Sequence, residues 1–199
     1  MFKREIAMAR RPHADIRQAA LQEAEAILRA EGLDAMTARR IAGAAGVSVG
    51  TLYNLFGHLD GLVRAVNRRT MARLRAALAA ALDGAPTGSV EERLIALATA
   101  YLDFAEANPA LWDALFRHRM QTPPEDATED EVTALEDVLR RAAGPTVAQD
   151  ALMALWAAAH GVVELAMNRR LPGDGTDAPR RYLAIIVRAG VRGLTQPEP

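Results

Sequence analysis

Residues 37–59 read TARRIAGAAGVSVGTLYNLFGHL. Thr37 is of the residue type that caps a helix N-terminus, with Met36 before it and Ile41 at the fourth helical position. That spacing forms a hydrophobic staple, and Ser48 repeats it with Val47 and Leu52. Between the two caps, Ala44-Ala45-Gly46-Val47 carries the permissive backbone of a tight turn. A capped helix, a glycine turn and a second short capped helix make the helix-turn-helix pattern. In that pattern the second helix can enter the major groove of DNA and present its N-terminal residues to base edges.

Around the corner, the residue types suit a polyanion. The staple turns Leu52 inward and leaves Val49, Gly50, Thr51, Tyr53 and Asn54 for the outward face. Gly50 allows close backbone approach. The methyls of Val49 and Thr51 can touch a thymine methyl, Asn54 can pair with adenine, and Tyr53 can reach a phosphate. Thr37 and Arg39 open the preceding helix, where backbone N–H groups and a cation suit phosphate. A basic arm, Lys3 to Arg11, can lie along the DNA backbone or in the minor groove. The bland alternative is a plain helix–glycine–helix corner in an all-α protein, with Tyr53 and Phe56 as core aromatics.

Working outward, helix signals continue and strand signals are nearly absent. From about His13 to Glu31, Ile16, Ala20, Ala24, Ile27 and Leu28 share one face, and Gly32 is a C-terminal stop. A helix from about Asp60 to Leu82 ends before Asp83-Gly84. Ser89 and Glu92 form a capping box for a helix to about Ala107. Asn108-Pro109 breaks it, and a shorter helix covers about Ala110–Met120. Thr122 to Ala127 is a loop. Thr128 with Glu131, and Thr146 with Gln149, form two more capping boxes; the second opens a helix to about Arg170. A turn at Leu171–Gly175 leads to a last helix capped by Asp177, with Pro179 tolerated in its first turn. The expected fold is all-α with about nine helices. The expected units are residues 1–59 (arm and helix-turn-helix), 60–82 (connecting helix) and 83–199 (regulatory domain).

Composition excludes several chemistries. The chain has 199 residues, half of them hydrophobic, a quarter charged and none cysteine. Disulfides, thiolate zinc sites and cysteine nucleophiles are therefore ruled out. The two serines, Ser48 and Ser89, both read as caps, and no Gly-x-Ser-x-Gly turn or Gly-rich phosphate loop occurs. His13, His58, His118 and His160 are scattered, without metal-ligand spacing. An enzyme, a metal site or a bound cofactor is not expected. Net charge is −1, but residues 1–75 carry +6 and residues 76–199 carry −7. One end suits a polyanion and the other does not. The longest apolar run, Ala151 to Met167, is interrupted by His160 and Glu164 and reads as too short for a bilayer. Neither a membrane span nor a signal peptide is expected, so the cytoplasm is the expected location.

In the rear half, Tyr101, Phe104, Trp112, Phe116, Met120, Met153, Trp156 and His160, with Leu111 and Leu115, are bulky and fall on three helices. Such residues can line a cavity for a small, largely apolar molecule. They can equally be ordinary core. Glu164 lies one turn beyond His160; the pair can orient the imidazole, select a polar effector or form a structural hydrogen bond. The run Ala157-Ala158-Ala159 with Gly161, together with Tyr182, Leu183, Ile185, Ile186 and Val187, suggests that residues 147–170 and 178–194 pair with their symmetry mates in a twofold four-helix bundle. Packing inside one subunit is the alternative.

Glu31-Gly-Leu-Asp-Ala-Met-Thr37, Ile41-Ala42 and Ala45-Gly-Val-Ser-Val-Gly-Thr-Leu-Tyr-Asn-Leu-Phe-Gly57 closely resemble the N-terminal domain of the tetracycline-repressor (TetR) family, over about residues 13–60. The resemblance implies an all-helical homodimer. In it, three N-terminal helices bind DNA and a larger C-terminal domain dimerises and binds a small effector. It carries DNA contacts onto Thr37, Arg39, Ser48, Val49, Gly50, Thr51, Tyr53 and Asn54. Two positions depart: Leu55 stands where the family often has His or Tyr, and Leu59 where it usually has Lys. Each lost cationic contact flattens the salt dependence of binding by about one log–log unit. His58, Arg64 or the arm are the candidate replacements. Tyr101–Trp112, Phe116 and Trp156…His160-Gly161 resemble a C-terminal subclass named for a Trp-His-Gly signature. The expected function is a ligand-responsive regulator, a repressor that binds a pseudo-palindromic operator as a homodimer. A small-molecule-binding or assembly protein without sequence-specific DNA binding is the competing expectation.

Overall fold

The computed structural model describes residues 12–85, 87–118, 129–145, 147–173 and 177–195. The basic arm, Met120, the Thr122–Ala127 loop, Thr128 and Thr146 lie outside them. Helix α1 (His13–Glu31) buries Ala20, Leu21, Ala24, Ile27 and Leu28, and stops at Gly32 with φ 83°. After one 3-10 turn (Leu33–Ala35), α2 (Ala38–Ala45) starts where Thr37 accepts the Arg40 N–H at 3.3 Å. Gly46 is left-handed (φ 68°, ψ 38°) and ends it, as the turn requires. Ser48 accepts the Thr51 N–H at 3.0 Å and starts α3 (Val49–Phe56). Both staples close: Met36, Ile41 and Leu52 are buried.

Helix α4 (Leu59–Asp83) begins at His58, whose Nδ1 accepts the Gly61 N–H at 3.1 Å. The Ser89–Glu92 capping box is present and opens α5 (Val90–Ala107). Helix α6 runs Pro109–Phe116, shorter than the expected reach to Met120, and Arg117 ends it. Helix α7 spans Glu129–Ala143 and stops at Gly144, φ 87°. Helix α8 (Gln149–Met167) starts after Ala148 without a side-chain cap. Gln149 is thus its first residue, not the third position of a capping box, and the helix ends before Arg170. Helix α9 (Ala178–Thr195) follows Asp177 directly.

The side chains sort into two cores. The front core joins α1, α2 and α3 to the first turns of α4 through Leu28, Ile41, Leu52, Leu62 and Val66. The rear core joins the rest of α4 to α5, α7, α8 and α9 through Leu74, Leu78, Leu102, Leu152 and Leu183. Two helices serve both. On α4 the changeover falls at Thr70, fully buried, whose hydroxyl donates to Val66 O at 3.2 Å. On α6, Leu111 and Ala114 join the front core and Trp112 the rear.

The seam is also stitched by polar contacts. Glu25 on α1, 9% exposed, accepts from Arg73 Nη1 and Nη2 at 2.6 and 2.9 Å and from Arg29 Nε at 3.0 Å. Burial alone would raise its carboxyl; Arg73, then Arg29, outweigh that and hold it below the usual carboxylate range. Asn67 Nδ2 donates to Ala114 O at 2.8 Å, and His118 Nε2 lies 3.2 Å from Asp60 Oδ1.

Candidate functional site

The outward face of α3 is open. Tyr53 and Asn54 are exposed, Tyr53 by 43% although it is one of the largest apolar rings in the chain. Gly50 is exposed, and a Cβ built there would meet nothing closer than Ser48 Oγ at 3.7 Å. Among the described residues, no packing demands a glycine at that point. Thr51 and Ser48 hydroxyls pair at 2.9 Å, which ties the first turn of α3 into one fixed surface. Val49 differs from the expectation of a fully outward side chain: it is half-buried and leans on the front core.

Thr37 and Arg39 are exposed at the start of α2. The neighbouring Arg40 is paired with Glu31, which leaves Arg39 as the outward cation of that turn. Leu55 and Leu59, the two departures, are both half-buried and pack against the front core. Cations sit beside them instead. Arg17 on α1 donates to Leu55 O at 2.6 Å and lies 4.5 Å above the Phe56 ring. With Arg64 and Arg68 it lines a recess between α1 and α4. His58 accepts at Nδ1, so in its neutral form the proton is on exposed Nε2, a donor to solvent.

Gly61 escaped the sequence reading. A Cβ there would fall 2.0 Å from Phe56 O, a backbone atom that cannot swing aside. This glycine lets α3 and α4 meet, and thereby aims α3. Its only trace in the sequence is a glycine in the first turn of a helix.

The eight rear candidates divide. Tyr101 and Trp156 line an apolar cavity of about 40 Å³. Its other walls are Leu residues of α4, α5, α7 and α8, with Ala98, Ala159 and Val187. Trp112, Phe116 and His160 form an aromatic cluster next to these two. His160 stacks on Trp156 (ring centroids 5.3 Å apart) and faces Phe116 at 4.7 Å and Trp112 at 5.8 Å. Phe104 is buried in the rear core and Met153 packs against it; neither reaches the cavity wall.

The expected His160–Glu164 partnership is replaced by two longer-range bonds. The Tyr101 hydroxyl bonds His160 Nδ1 at 2.9 Å, and Trp112 Nε1 donates to Glu164 Oε1 at 2.6 Å. Burial pushes the Tyr101 hydroxyl far above its usual range; the nearby Trp156 N–H opposes the rise and Glu164 adds to it. Burial also lowers His160, against the pull of Glu164, so the imidazole is held neutral below the usual histidine range.

Helix α8 meets the length and composition of a bilayer crossing, against expectation: 19 residues, mean hydropathy 1.3. Only 22% of its most apolar stretch is buried in the protomer. Ala157, Ala158, Gly161 and Leu165 are exposed along it, and Ile185 on α9 is 57% exposed. Two half-buried polar groups on it, His160 and Glu164, nonetheless bond within the fold.

Comparison with known proteins bears on both halves. The family model for bacterial regulatory proteins of the tetR family matches residues 20–66. A second, for the tetracyclin repressor-like C-terminal domain, matches residues 94–190. Among solved structures, a protein of unknown function from Rhodococcus sp. RHA1 shares 26% identity, with a TM-score of 0.69 over 96% of this chain and 100% of that one. A TetR-like transcriptional regulator from the same organism shares the fold at 24% identity, TM-score 0.60, over 92% and 100% of the two chains. A TetR-family regulator from Streptomyces coelicolor does so at 19% identity, TM-score 0.66, over 90% and 99%. No curated protein matches the chain.

Proposed function

The chain belongs to the TetR family of ligand-responsive, DNA-binding transcriptional regulators, and from that premise we propose that it is a repressor that binds a pseudo-palindromic operator as a homodimer and is released by a small effector. The observation that carries this reading is the bare, rigid turn at Ser48–Asn54. It offers backbone and short side chains outward at Gly50 and Thr51, and hydrogen-bonding groups at Tyr53 and Asn54. Val49, Thr51 and Asn54 read base edges, while Thr37, Arg39, Ser48 and Tyr53 hold phosphates. Arg17 and Arg64 supply the backbone cations that Leu55 and Leu59 do not.

The dimer forms through α8 and α9. An apolar helix with its small residues turned to solvent is stable in water only if a second surface covers it. The same small residues let a symmetry-related helix approach closely, in a four-helix arrangement. The two recognition helices then address successive major grooves.

The effector enters the apolar cavity beside Trp156 and Tyr101. Its effect passes to the DNA face through α6, where Trp112 sits in the aromatic cluster and the adjacent Leu111 sits in the front core. Linkage requires reciprocity: an effector that weakens DNA binding is itself bound more weakly in the presence of operator, by the same factor. Anisotropy titration of DNA from upstream of the gene, at several salt concentrations, tests the DNA reading. Specific binding that survives excess random DNA is expected. Affinity equal for random and upstream DNA overturns the operator reading, and effector affinity unchanged by saturating operator overturns the release.

A further inference from the structure

Between α1 and α4, where α3 ends, lies a recess of about 190 Å³. Arg17, Arg64 and Arg68 line it with Leu55, Phe56 and Gly61, and no carboxylate is among its walls. Arg17 is held in place there: Nη1 donates to Leu55 O at 2.6 Å, and the guanidinium carbon lies 4.5 Å from the centre of the Phe56 ring. A guanidinium has five N–H donors, so these two contacts fix its plane and leave other donors open. Arg64 differs from its neighbours on α4. Arg69 donates to Gln18, and Arg73 to Glu25. Arg64 is half-buried, as Arg69 is, yet its side chain makes no ion pair or hydrogen bond among the described residues. A guanidinium drawn partly out of water without a partner costs stability, and a like charge beside it adds to the cost. An anion in the recess offsets both.

Resting on the reading of Arg17 and Arg64 as cations for the DNA backbone, we propose that this recess is a phosphate-binding pocket, which takes one phosphate group as a discrete ligand. The group belongs either to the backbone of the duplex that α3 reads or to a free phosphate ester. Phosphate chemistry follows from the walls. The guanidinium groups come from two helices, Arg17 from α1 and Arg64 and Arg68 from α4. A tetrahedral anion can take donors from several sides, whereas a planar carboxylate is satisfied by one fork. A water's share of volume is about 30 Å³, so the recess holds a phosphate group with a few waters, while the sugar and base attached to it stay outside. Leu55 and Phe56 form an apolar wall, which strengthens a charge interaction beside it. Both belong to the last turn of α3, so an occupant sits at the foot of the recognition helix. A backbone phosphate there restores, from α1 and α4, the contact that leucine at 55 and 59 does not make.

The test uses the full chain and two probes: duplex DNA, both of random sequence and from upstream of the gene, and inorganic phosphate. In the first arm the affinity for each duplex is measured over a series of salt concentrations. Arg64→Ala is expected to weaken binding about tenfold and to flatten the log–log salt dependence by about one unit for each bound subunit. Arg64→Lys keeps the charge and is expected to keep the slope. Arg75→Ala is the control: it removes an equal charge from an exposed position on α4 outside the recess, and the slope is expected to hold. Arg64→Met, which retains an apolar stem, gives the same comparison if the alanine variant does not fold. In the second arm phosphate replaces chloride at constant ionic strength, and the Leu55 methyl resonances are followed with and without Arg64. A flattened slope identifies the DNA backbone as the source of the group. Leu55 shifts that need Arg64, with the slope unchanged, identify a free ester. If neither arm responds to Arg64, or if Arg75→Ala flattens the slope as much and phosphate leaves Leu55 unmoved, the pocket is overturned. Should upstream DNA still be preferred over random DNA in that case, the operator reading stands alone. Should the two duplexes bind alike while Arg64→Ala flattens the slope, the pocket stands and the operator reading falls.

Discussion

The two cores are built to different rules. Around α2 and α3 the buried set is aliphatic and small apart from Phe56, and the geometry is set by local devices: Thr37, Ser48, Gly46 and the Gly61 contact. Around α5, α6 and α8 the interior holds a ring cluster with polar atoms paired across long sequence distances, Tyr101 to His160 and Trp112 to Glu164. A surface that must match a stiff duplex gains from a shape that cannot relax. An interior whose polar atoms are paired at long range depends instead on packing and on the protonation states of its members. The contrast predicts that substitutions at the front act on geometry and those at the rear on packing and protonation.

The hardest blow to that contrast is Trp112→Ala. It deletes the largest fully buried side chain and takes the indole N–H from Glu164, for an expected loss of about 3–5 kcal/mol by urea denaturation. Loss confined to effector response, with unchanged stability, would mean that the rear cluster is not a core at all. Next is Gly61→Ala, where the new methyl must displace backbone. A cost of about 1–3 kcal/mol is expected, with DNA affinity falling more than stability accounts for, because α3 is re-aimed. Ser48→Ala removes one cap and costs about 1 kcal/mol by thermal denaturation, while effector affinity stays put.

The smallest effect separates the two regions by pH. His160 is held neutral by burial, so its folded pKa lies below the ordinary 6.5. The unfolded chain then binds the proton more readily, and this contribution to stability is present above pH 6.5 and lost as pH falls through it. In His160→Asn the decline from pH 7 to pH 5 should be shallower, read from denaturant midpoints at each pH. An unchanged slope would show that the imidazole gives nothing to the rear core.

How far these features were legible follows from the same division. Thr37, Gly46, Ser48 and the Ser89–Glu92 box act within three or four residues, and each stands where the sequence placed it. Local signals misled where tertiary packing overruled them. Gln149 became the first residue of α8 rather than part of a capping box, and α6 stopped at Phe116. The His160–Glu164 spacing suggested a helical pair, but Tyr101 and Trp112, more than fifty residues upstream by hydrogen-bond separation, took each partner. Nothing short-range announces such bonds. Leu55 and Leu59 looked like lost phosphate contacts; the structure gives them a packing role and sets Arg17 and Arg64 nearby.

Because α4 and α6 each lend side chains to both cores, neither half has a boundary at which it can come away whole. Heat or a protease that opens the rear strips Leu111 from under α1 and frees the lower turns of α4, so the chain should melt as a single cooperative unit. A cell would then not accumulate stray reading heads that still hold DNA yet have lost the half that responds to ligand.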